Sequence, residues 1–210
     1  MKLFYYEHCP FCIRVLMLIY FKNINVEKIV LLNDDEETPV AMIGKKMLPV
    51  LQKDNGEYLP ESLDIIGYID NLHESILPPH DEPDFIVAWL NEAKPCLNQL
   101  ARPRMIHYPF KEFSTPSARD YFERKKSEQI GSFPKLIAQT EEILLKFQPI
   151  LNKISDLVSD MTNTSLTWED IYLFPYLLSL TLVPEFPWPH AIKKYLDMKC
   201  DLLGIPAYTK

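Results

Sequence analysis

The feature that most restricts the possible folds of this sequence is a change of pattern at the proline-rich stretch 75–83. Before it, short apolar runs of strand length alternate with segments of helical periodicity. After it, strand signals almost disappear and helical spacing dominates. The stretch contains three prolines beside charged residues, a composition typical of a stiff, polar linker. The sequence therefore predicts an α/β domain at residues 1–74, a linker at 75–83 and an all-helical domain at 84–210.

The first domain is predicted to contain a four-stranded mixed sheet. A strand, a helix and a second strand follow one another at its start, which implies a parallel pair joined by a right-handed crossover. The Asp-Asn-Gly turn at 54–56 implies an antiparallel hairpin at its end. The predicted strands are Lys2–Tyr6, Val26–Leu32, Leu48–Gln52 and Glu57–Leu59, and the predicted helices run from Pro10 to about Phe21 and onward from Ser62.

Helices account for the second domain. Helical spacing extends from Asp84 to about Tyr108, where Pro95 and Pro103 are expected to kink or break the helix. The stretch 167–170 has the pattern of a variant capping box, in which Thr167 caps the next helix and Asp170 reaches back. Because that helix is apolar on nearly all sides, we expect it to be the buried centre of the domain.

Composition excludes several classes of protein. The net charge of −7 and the pI near 5.3 argue against a nucleic-acid partner. Only four apolar residues, Leu3 to Tyr6, precede Glu7, too few for a secretory signal. The uncharged stretch Ile171–Pro184 is too short to span a bilayer and contains a proline. We expect a soluble cytoplasmic protein with neither membrane nor nucleic-acid partners.

The four cysteines do not form a metal-site or scaffold pattern. Only Cys9 and Cys12 are close in sequence, and no second close pair is present to complete a zinc site. A secreted disulfide scaffold is denser in cysteine than this chain. We therefore predict no metal, and expect Cys96 and Cys200 to be buried packing thiols.

The CPFC segment at residues 9–12 predicts thiol–disulfide chemistry, because it follows a strand and opens a helix. A thiolate is the attacking species, and a helix N-terminus stabilises it. Lowering a cysteine pKa from about 8.5 to about 5 requires roughly 4.8 kcal/mol. The helix dipole supplies at most about 2 kcal/mol, so charge-assisted hydrogen bonds must supply the rest, and the Phe11 and Cys12 amides or the Cys12 thiol can provide them. We predict that Cys9 attacks, with a pKa well below that of Cys12, and that Cys12 resolves.

Two further segments have both a functional and a purely structural interpretation. Pro49 begins a strand; if its peptide bond is cis, the Leu48 backbone faces the motif and can pair with an extended thiol peptide, but an ordinary edge-strand proline is equally expected. Ser62 either caps a helix alone or belongs to a helix N-terminus that binds a carboxylate. In that second interpretation, Glu61 pairs with the neighbouring ammonium of a γ-glutamyl group.

These segments, together with Leu31–Asp35 and Glu112–Pro116, resemble the bacterial glutaredoxin 2 family, glutaredoxins built on the glutathione-transferase fold. The resemblance runs from residue 1 to roughly residue 200. It implies a thioredoxin-like N-terminal domain, a glutathione-transferase-like helical C-terminal domain and a monomeric cytosolic protein. It also implies a cis bond before Pro49 and a Cys9 nucleophile that glutathione regenerates.

The resemblance implies that glutathione is the reducing co-substrate. The glutathione-binding residues it predicts are Phe11, Leu48, Pro49, Glu61 and Ser62. Phe11 stands where glutaredoxins commonly have tyrosine, and the missing hydroxyl alters a hydrogen bond without altering the thiol chemistry. The predicted function is a glutathione-dependent thiol–disulfide oxidoreductase that reduces disulfide-containing and glutathionylated proteins.

Two other functions fit the same fold. One is a glutathione transferase or dehydroascorbate reductase, which needs no resolving thiol. The other is a non-catalytic binding module like the intracellular chloride channel proteins, which generally keep one cysteine. Cys12 argues against both. His8 and Arg14 flank the motif; each either tunes Cys9 or is a bystander, with Arg14 in solvent.

Overall fold

The computed structural model describes residues 1–72, 74–161 and 164–208. Contacts between residues divide the chain into two compact units. The first comprises Met1–His80 and Pro109–Phe122, and the second comprises Asp81–Tyr108 and Glu123–Lys210. The division of the chain into residues 1–74, 75–83 and 84–210 stays a prediction about folding units.

In its described residues, the first unit is built on four short strands and three complete helices. Its chain runs through β1 (Lys2–Tyr5), α1 (Pro10–Phe21), β2 (Glu27–Val30), α2 (Glu37–Ile43), β3 (Val50–Gln52), β4 (Tyr58–Pro60) and α3 (Ser62–Asn71). Each predicted strand is present, and its observed bounds differ by one to two residues at most ends. The difference arises because pairing with neighbouring strands, and not residue type, decides where a ladder stops.

The strands form one mixed sheet in the order β2-β1-β3-β4, which confirms the predicted fold class. β1 pairs with β2 in parallel and with β3 in antiparallel orientation, and β3 pairs with β4 in antiparallel orientation. Leu3 and Leu51 are partners in β1 and β3 and are fully buried. Gly56 has φ +86° and closes the predicted turn between β3 and β4, with its N–H donating to the Lys53 carbonyl at 3.0 Å.

Residues 109–122 pack within the first unit although the chain reaches them only after α4 (Asp84–Met105). They hold a single 3₁₀ turn at Lys111–Phe113 and the start of α5 (Pro116–Ile130). The Asn33 N–H donates to the Glu112 carbonyl at 3.0 Å, which joins this segment to the loop after β2.

In its described part, the second unit contains helices joined by loops and no strand. Besides α4 and the remainder of α5, it contains α6 (Phe133–Ala138), α7 (Thr140–Asn152), α8 (Ser155–Asp160), α9 (Trp168–Leu180) and α10 (His190–Leu203). α4 continues through Pro95 and Pro103, so these prolines do not break the helix, and a kink at them stays a prediction. α4 packs against α6, α7 and α9.

α9 is the buried centre of the second unit, as predicted. Except for Glu169, its side chains are almost all inaccessible to solvent. The capping box at its start is also present: the Thr167 hydroxyl accepts from the Asp170 N–H at 3.3 Å, and the Asp170 carboxylate accepts from the Thr167 N–H at 3.0 Å. In the described part of the chain, no helix is both long enough and apolar enough to cross a membrane.

Candidate active site

One edge of the sheet carries all three segments that the sequence singles out. Val50 is paired with Phe4 of β1 and with Pro60 of β4. Because both pairs are antiparallel, the chain leaving β1, the chain entering β3 and the chain leaving β4 lie at the same edge. This edge therefore carries the CPFC segment, Leu48-Pro49 and Glu61-Ser62.

Cys9 is the N-cap residue of α1. Its backbone is extended, with φ −79° and ψ 121°, and Pro10 occupies the first helical position, where a missing N–H costs little. The Cys9 carbonyl accepts from the Ile13 N–H at 2.9 Å, which starts the helical hydrogen bonds. Cys9 is partly exposed, whereas Cys12, one turn later, is fully buried. Only Cys9 of the two has the access to solvent that an attacking thiol needs.

The surroundings of Cys9 lower its pKa from 9.0 to about 6. The largest cause is a hydrogen bond from the Cys12 side chain. Burial opposes this effect, while the positive charge of His8 and the amides of Cys12 and Phe11 add to it. The amides do not complete a regular capping hydrogen bond to the sulfur, so we attribute less of the lowering to them than to the Cys12 thiol.

The pKa of Cys12 moves in the opposite direction, well above 9.0. Burial is the first cause, and the hydrogen bond and negative charge shared with Cys9 are the next. The Tyr6 N–H donates to Cys12 Sγ at 3.4 Å, which lowers the pKa of Cys12 but only partly offsets these three effects. Cys12 thus stays protonated while Cys9 ionises, which confirms the predicted order of the two pKa values and makes the Cys12 thiol the chief donor.

Removing the Cys12 thiol is expected to raise the pKa of Cys9 above about 6, because the largest stabilising hydrogen bond of the thiolate is lost. Iodoacetamide alkylation of Cys9, followed against pH by mass spectrometry, measures this midpoint, since only the thiolate reacts. Cys12→Ala should shift the midpoint upward. Cys12→Ser, which keeps an O–H donor, should shift it less. Equal midpoints in Cys12→Ala and the parent chain would contradict the assigned cause.

The peptide bond between Leu48 and Pro49 is cis, as the family resemblance implies. Both residues are buried. The ladder between β1 and β3 begins at Val50 and does not include Leu48. The Leu48 backbone therefore lies beyond the paired part of the sheet, on the edge that carries the cysteines.

Glu61, not Ser62, is the N-cap residue of α3, and Ser62 is the first helical residue. The interpretation of Ser62 as a cap is therefore wrong. Glu61 has φ +66°, a backbone conformation that costs a non-glycine residue on the order of 1–3 kcal/mol. Its exposed carboxylate lies 3.4 Å from Lys45 Nζ, a weak pair because both side chains are more than half exposed. No sequence signal indicates this left-handed backbone.

His8 has a neighbour that sequence reasoning missed. Its Nδ1 lies 2.6 Å from Glu112 Oε1, and the two residues are 104 positions apart. No periodicity connects positions so distant, so the sequence could not supply this contact. Arg14 is buried beneath Phe11, its guanidinium carbon 5.1 Å from the ring centroid, which excludes the alternative of a solvent-exposed Arg14.

The two remaining cysteines are partly exposed, contrary to the expectation of buried packing thiols. Burial of part of each side chain raises the pKa of both, that of Cys200 to about 11. Neither therefore forms a reactive thiolate near neutral pH. Within residues 1–72, 74–161 and 164–208, no group of three or more His, Cys, Asp and Glu side chains is placed to hold a metal ion.

Comparison with known proteins places this site in a family. Residues 85–210 match the family described as "Glutaredoxin 2, C terminal domain", and residues 3–80 match "Glutathione S-transferase, N-terminal domain". Glutaredoxin 2 of Escherichia coli strain K12 is 41% identical over 199 residues, which cover 94% of this chain and 93% of that protein.

Solved structures show the same similarity. The crystal structure of glutaredoxin 2 from Salmonella typhimurium in complex with glutathione superposes with a TM-score of 0.90 at 41% identity, covering 99% of this chain and 96% of that one. A glutathione S-transferase of Ceriporiopsis subvermispora in complex with glutathione shares the fold alone, with a TM-score of 0.70 at 15% identity and 98% of both chains covered. The chain belongs to the glutaredoxin 2 family.

Proposed function

We propose that this chain is a glutaredoxin, a glutathione-dependent thiol–disulfide oxidoreductase. The observation that carries the proposal is the opposite perturbation of two neighbouring thiols at one helix N-terminus. Cys9 is accessible and its pKa is lowered to about 6, whereas Cys12 is buried and its pKa is raised. The 41% identity to glutaredoxin 2 of Escherichia coli supports the same function.

In the proposed reaction on a glutathionylated protein, the Cys9 thiolate attacks the sulfur of the glutathione moiety. A bond forms between Cys9 and glutathione, and the bond between glutathione and the protein breaks, releasing the protein thiolate, which takes up a proton. A second glutathione thiolate then attacks the mixed disulfide and restores the Cys9 thiolate. The products are the protein thiol and glutathione disulfide. The low pKa of Cys9 also makes it a good leaving group in this second step.

On a protein disulfide, Cys12 takes part. Cys9 first forms a mixed disulfide with one protein sulfur and the other leaves as a thiolate. Cys12, three residues later on the same helical face, then attacks Cys9, which releases the protein dithiol and forms a Cys9–Cys12 disulfide. Two molecules of glutathione reduce that disulfide. Once Cys9 has formed the mixed disulfide, its negative charge is gone, and one cause of the raised Cys12 pKa is gone with it.

We place glutathione at the shared sheet edge. Leu48, outside the β1–β3 ladder, offers backbone groups for pairing with the cysteinyl part of glutathione. The first-turn amides of α3, from Ser62 onward, have no partner within the helix and can donate to the γ-glutamyl carboxylate. The exposed carboxylate of Glu61 is available for the neighbouring ammonium. Phe11, 47% exposed, and Pro49 complete the proposed contact surface.

Two assays on the same preparation test the proposed function. We expect turnover of a glutathionylated peptide with glutathione as reductant and little conjugation of glutathione to chlorodinitrobenzene. We also expect Cys12→Ser to retain turnover of the glutathionylated peptide and to lose reduction of protein disulfides, because only the second reaction needs a resolving thiol. Strong conjugation without disulfide reduction would instead support the transferase or dehydroascorbate reductase alternative.

We further propose that the protein acts as a monomer in the cytoplasm on disulfide-containing or glutathionylated proteins. The chain has four cysteines in 210 residues, far fewer than a secreted disulfide scaffold carries. Sedimentation at micromolar concentration tests the monomeric state, and a dimer there would contradict it.

A further inference from the structure

His8 and Glu112 form a buried pair directly beside the redox motif. Glu112 Oε1 accepts twice from the same residue, from the His8 backbone N–H at 2.9 Å and from the His8 ring at Nδ1, 2.6 Å away. The side chain of Glu112 is fully buried, and that of His8 is 9% exposed. A single carboxylate oxygen thus fixes both the main chain and the ring of the residue that precedes Cys9.

Aromatic rings enclose the His8 imidazole and limit its movement. Tyr6 stacks on it, with ring centroids 5.6 Å apart and an interplanar angle of 17°. Phe110, Phe113 and Phe122 lie 6.2, 4.9 and 5.2 Å away by ring centroid. All three phenylalanines belong to the segment 109–122 of the first unit. That segment therefore supplies both the carboxylate partner of His8 and much of the wall around it.

The charge state of Glu112 determines which atom carries the proton in its hydrogen bond with the His8 ring. Burial raises the pKa of Glu112, but the hydrogen bonds and positive charge of His8 outweigh burial, and the net effect lowers that pKa. The carboxylate is therefore ionised and can only accept hydrogen bonds. Nδ1 of His8 must then carry a proton in their contact, as it does in both the neutral Nδ1–H ring and the charged ring.

We propose that His8 and Glu112 are a positioning pair for the nucleophile: Glu112 holds a positively charged His8 ring beside Cys9, and that ring favours the thiolate. The inference rests on the proposed function and identifies the residues that favour the thiolate form of its nucleophile. The effect of His8 on the pKa of Cys9 has the required direction, downward. Neither residue contacts the reacting sulfur in this role; Glu112 acts through His8, and His8 acts through its charge.

Three of the titratable groups facing the pair stay uncharged. Tyr5 and Tyr6 of the β1 end and Cys12 of α1 all feel the charge of Glu112, and burial raises the pKa of each. Asp35, from the loop before α2, also faces Tyr6. Among the causes that lower the pKa of Cys9, the charge of His8 comes second, after the hydrogen bond from the Cys12 side chain.

The direction in which the pKa of Cys9 changes when Glu112 is replaced distinguishes this mechanism from a direct effect of the Glu112 charge on Cys9. A negative charge acting on Cys9 through space disfavours the thiolate, so removing it should lower the pKa of Cys9. If Glu112 acts by holding a positive His8, removing it should raise that pKa. Cys9 alkylation by iodoacetamide against pH in the full-length reduced chain therefore decides between them. We expect Glu112→Gln to raise the midpoint by about one pH unit, which is about tenfold less thiolate at acidic pH.

Four further variants complete the test. His8→Gln keeps a hydrogen-bond donor without the charge and should match Glu112→Gln. The double variant should shift the midpoint no further than His8→Gln alone, because the two residues act as one unit. Glu112→Asp keeps the charge and should stay close to the parent chain. Glu7→Gln is the matched control. The Glu7 carboxylate accepts from the Lys111 N–H at 2.8 Å, in the 3₁₀ turn that also contains Glu112, and its replacement should not raise the midpoint.

Particular outcomes overturn the proposal. A lower or unchanged midpoint in Glu112→Gln contradicts it, as does an additive double variant. If Glu112→Gln fails to fold, an unchanged midpoint in His8→Gln contradicts it, and a raised one supports it. Alkylation needs neither glutathione nor substrate, so its result does not depend on the proposed function. If the parent chain had no disulfide-reductase activity but Glu112→Gln still raised the midpoint, the role of the pair would stand and the proposed function would be refuted.

Discussion

Replacing Cys9 by serine is expected to abolish reduction of a glutathionylated peptide, with a loss of at least about 1,000-fold in kcat/KM. Loss of a covalent nucleophile costs that much or more in enzymes whose intermediate depends on it. A serine hydroxyl is not ionised at pH values where the Cys9 thiol, with a pKa of about 6, is largely thiolate. The measurement is steady-state turnover with glutathione as reductant.

Two control variants accompany Cys9→Ser. Cys96→Ser removes a partly exposed thiol of the second unit, whose pKa is raised, and should leave kcat/KM unchanged. Cys12→Ser separates the loss of any motif cysteine from the loss of the attacking one. Residual turnover in Cys9→Ser close to that of the parent chain would contradict the assignment of Cys9 as nucleophile.

The second large effect concerns stability and lies in the second unit. Asp170 of α9 and Lys199 of α10 form an ion pair 2.8 Å long between side chains 1% and 0% exposed. The same carboxylate accepts from the Tyr195 hydroxyl at 2.9 Å and from the Thr167 N–H. Lys199→Met is expected to destabilise the chain by about 3–5 kcal/mol, because it leaves a buried charge without its partner. Urea denaturation followed by far-ultraviolet circular dichroism measures this loss.

Matched variants show whether burial is the cause. Lys153→Met removes another lysine–carboxylate pair of the second unit, with Glu92, in which both side chains are about half exposed. It should cost less than about 1 kcal/mol. Thr167→Ala removes the cap and a 3.2 Å hydroxyl hydrogen bond to the same carboxylate but leaves the ion pair in place, and should cost about 1 kcal/mol. Adding Asp170→Asn to Lys199→Met neutralises the unpaired carboxylate, so the double variant should be more stable than Lys199→Met alone. Equal effects of Lys199→Met and Lys153→Met would contradict the argument.

Features that depend on near neighbours in the chain were predictable from the sequence. The redox site is such a feature, since Cys9 and Cys12 are one helical turn apart and follow a strand. The capping box at Thr167 and Asp170 is another, because its partners are three residues apart. The parallel first pair and the antiparallel hairpin of the sheet followed from the handedness of crossovers and from turn chemistry. Strand bounds and the course of α4 were less accurate, because packing overrides local preference at prolines and at strand ends.

The sequence by itself therefore determined the thiol pair, the order of its two pKa values, the mixed sheet and the helical second half. Only the tertiary structure decided which distant groups support them. It placed Glu112 against His8 from 104 residues away and Lys199 against Asp170 from 29 residues away. It also set the left-handed backbone of Glu61. The physical reason is that helix and strand patterns arise from interactions a few residues apart, whereas buried charges are matched across elements that meet only when the chain has packed.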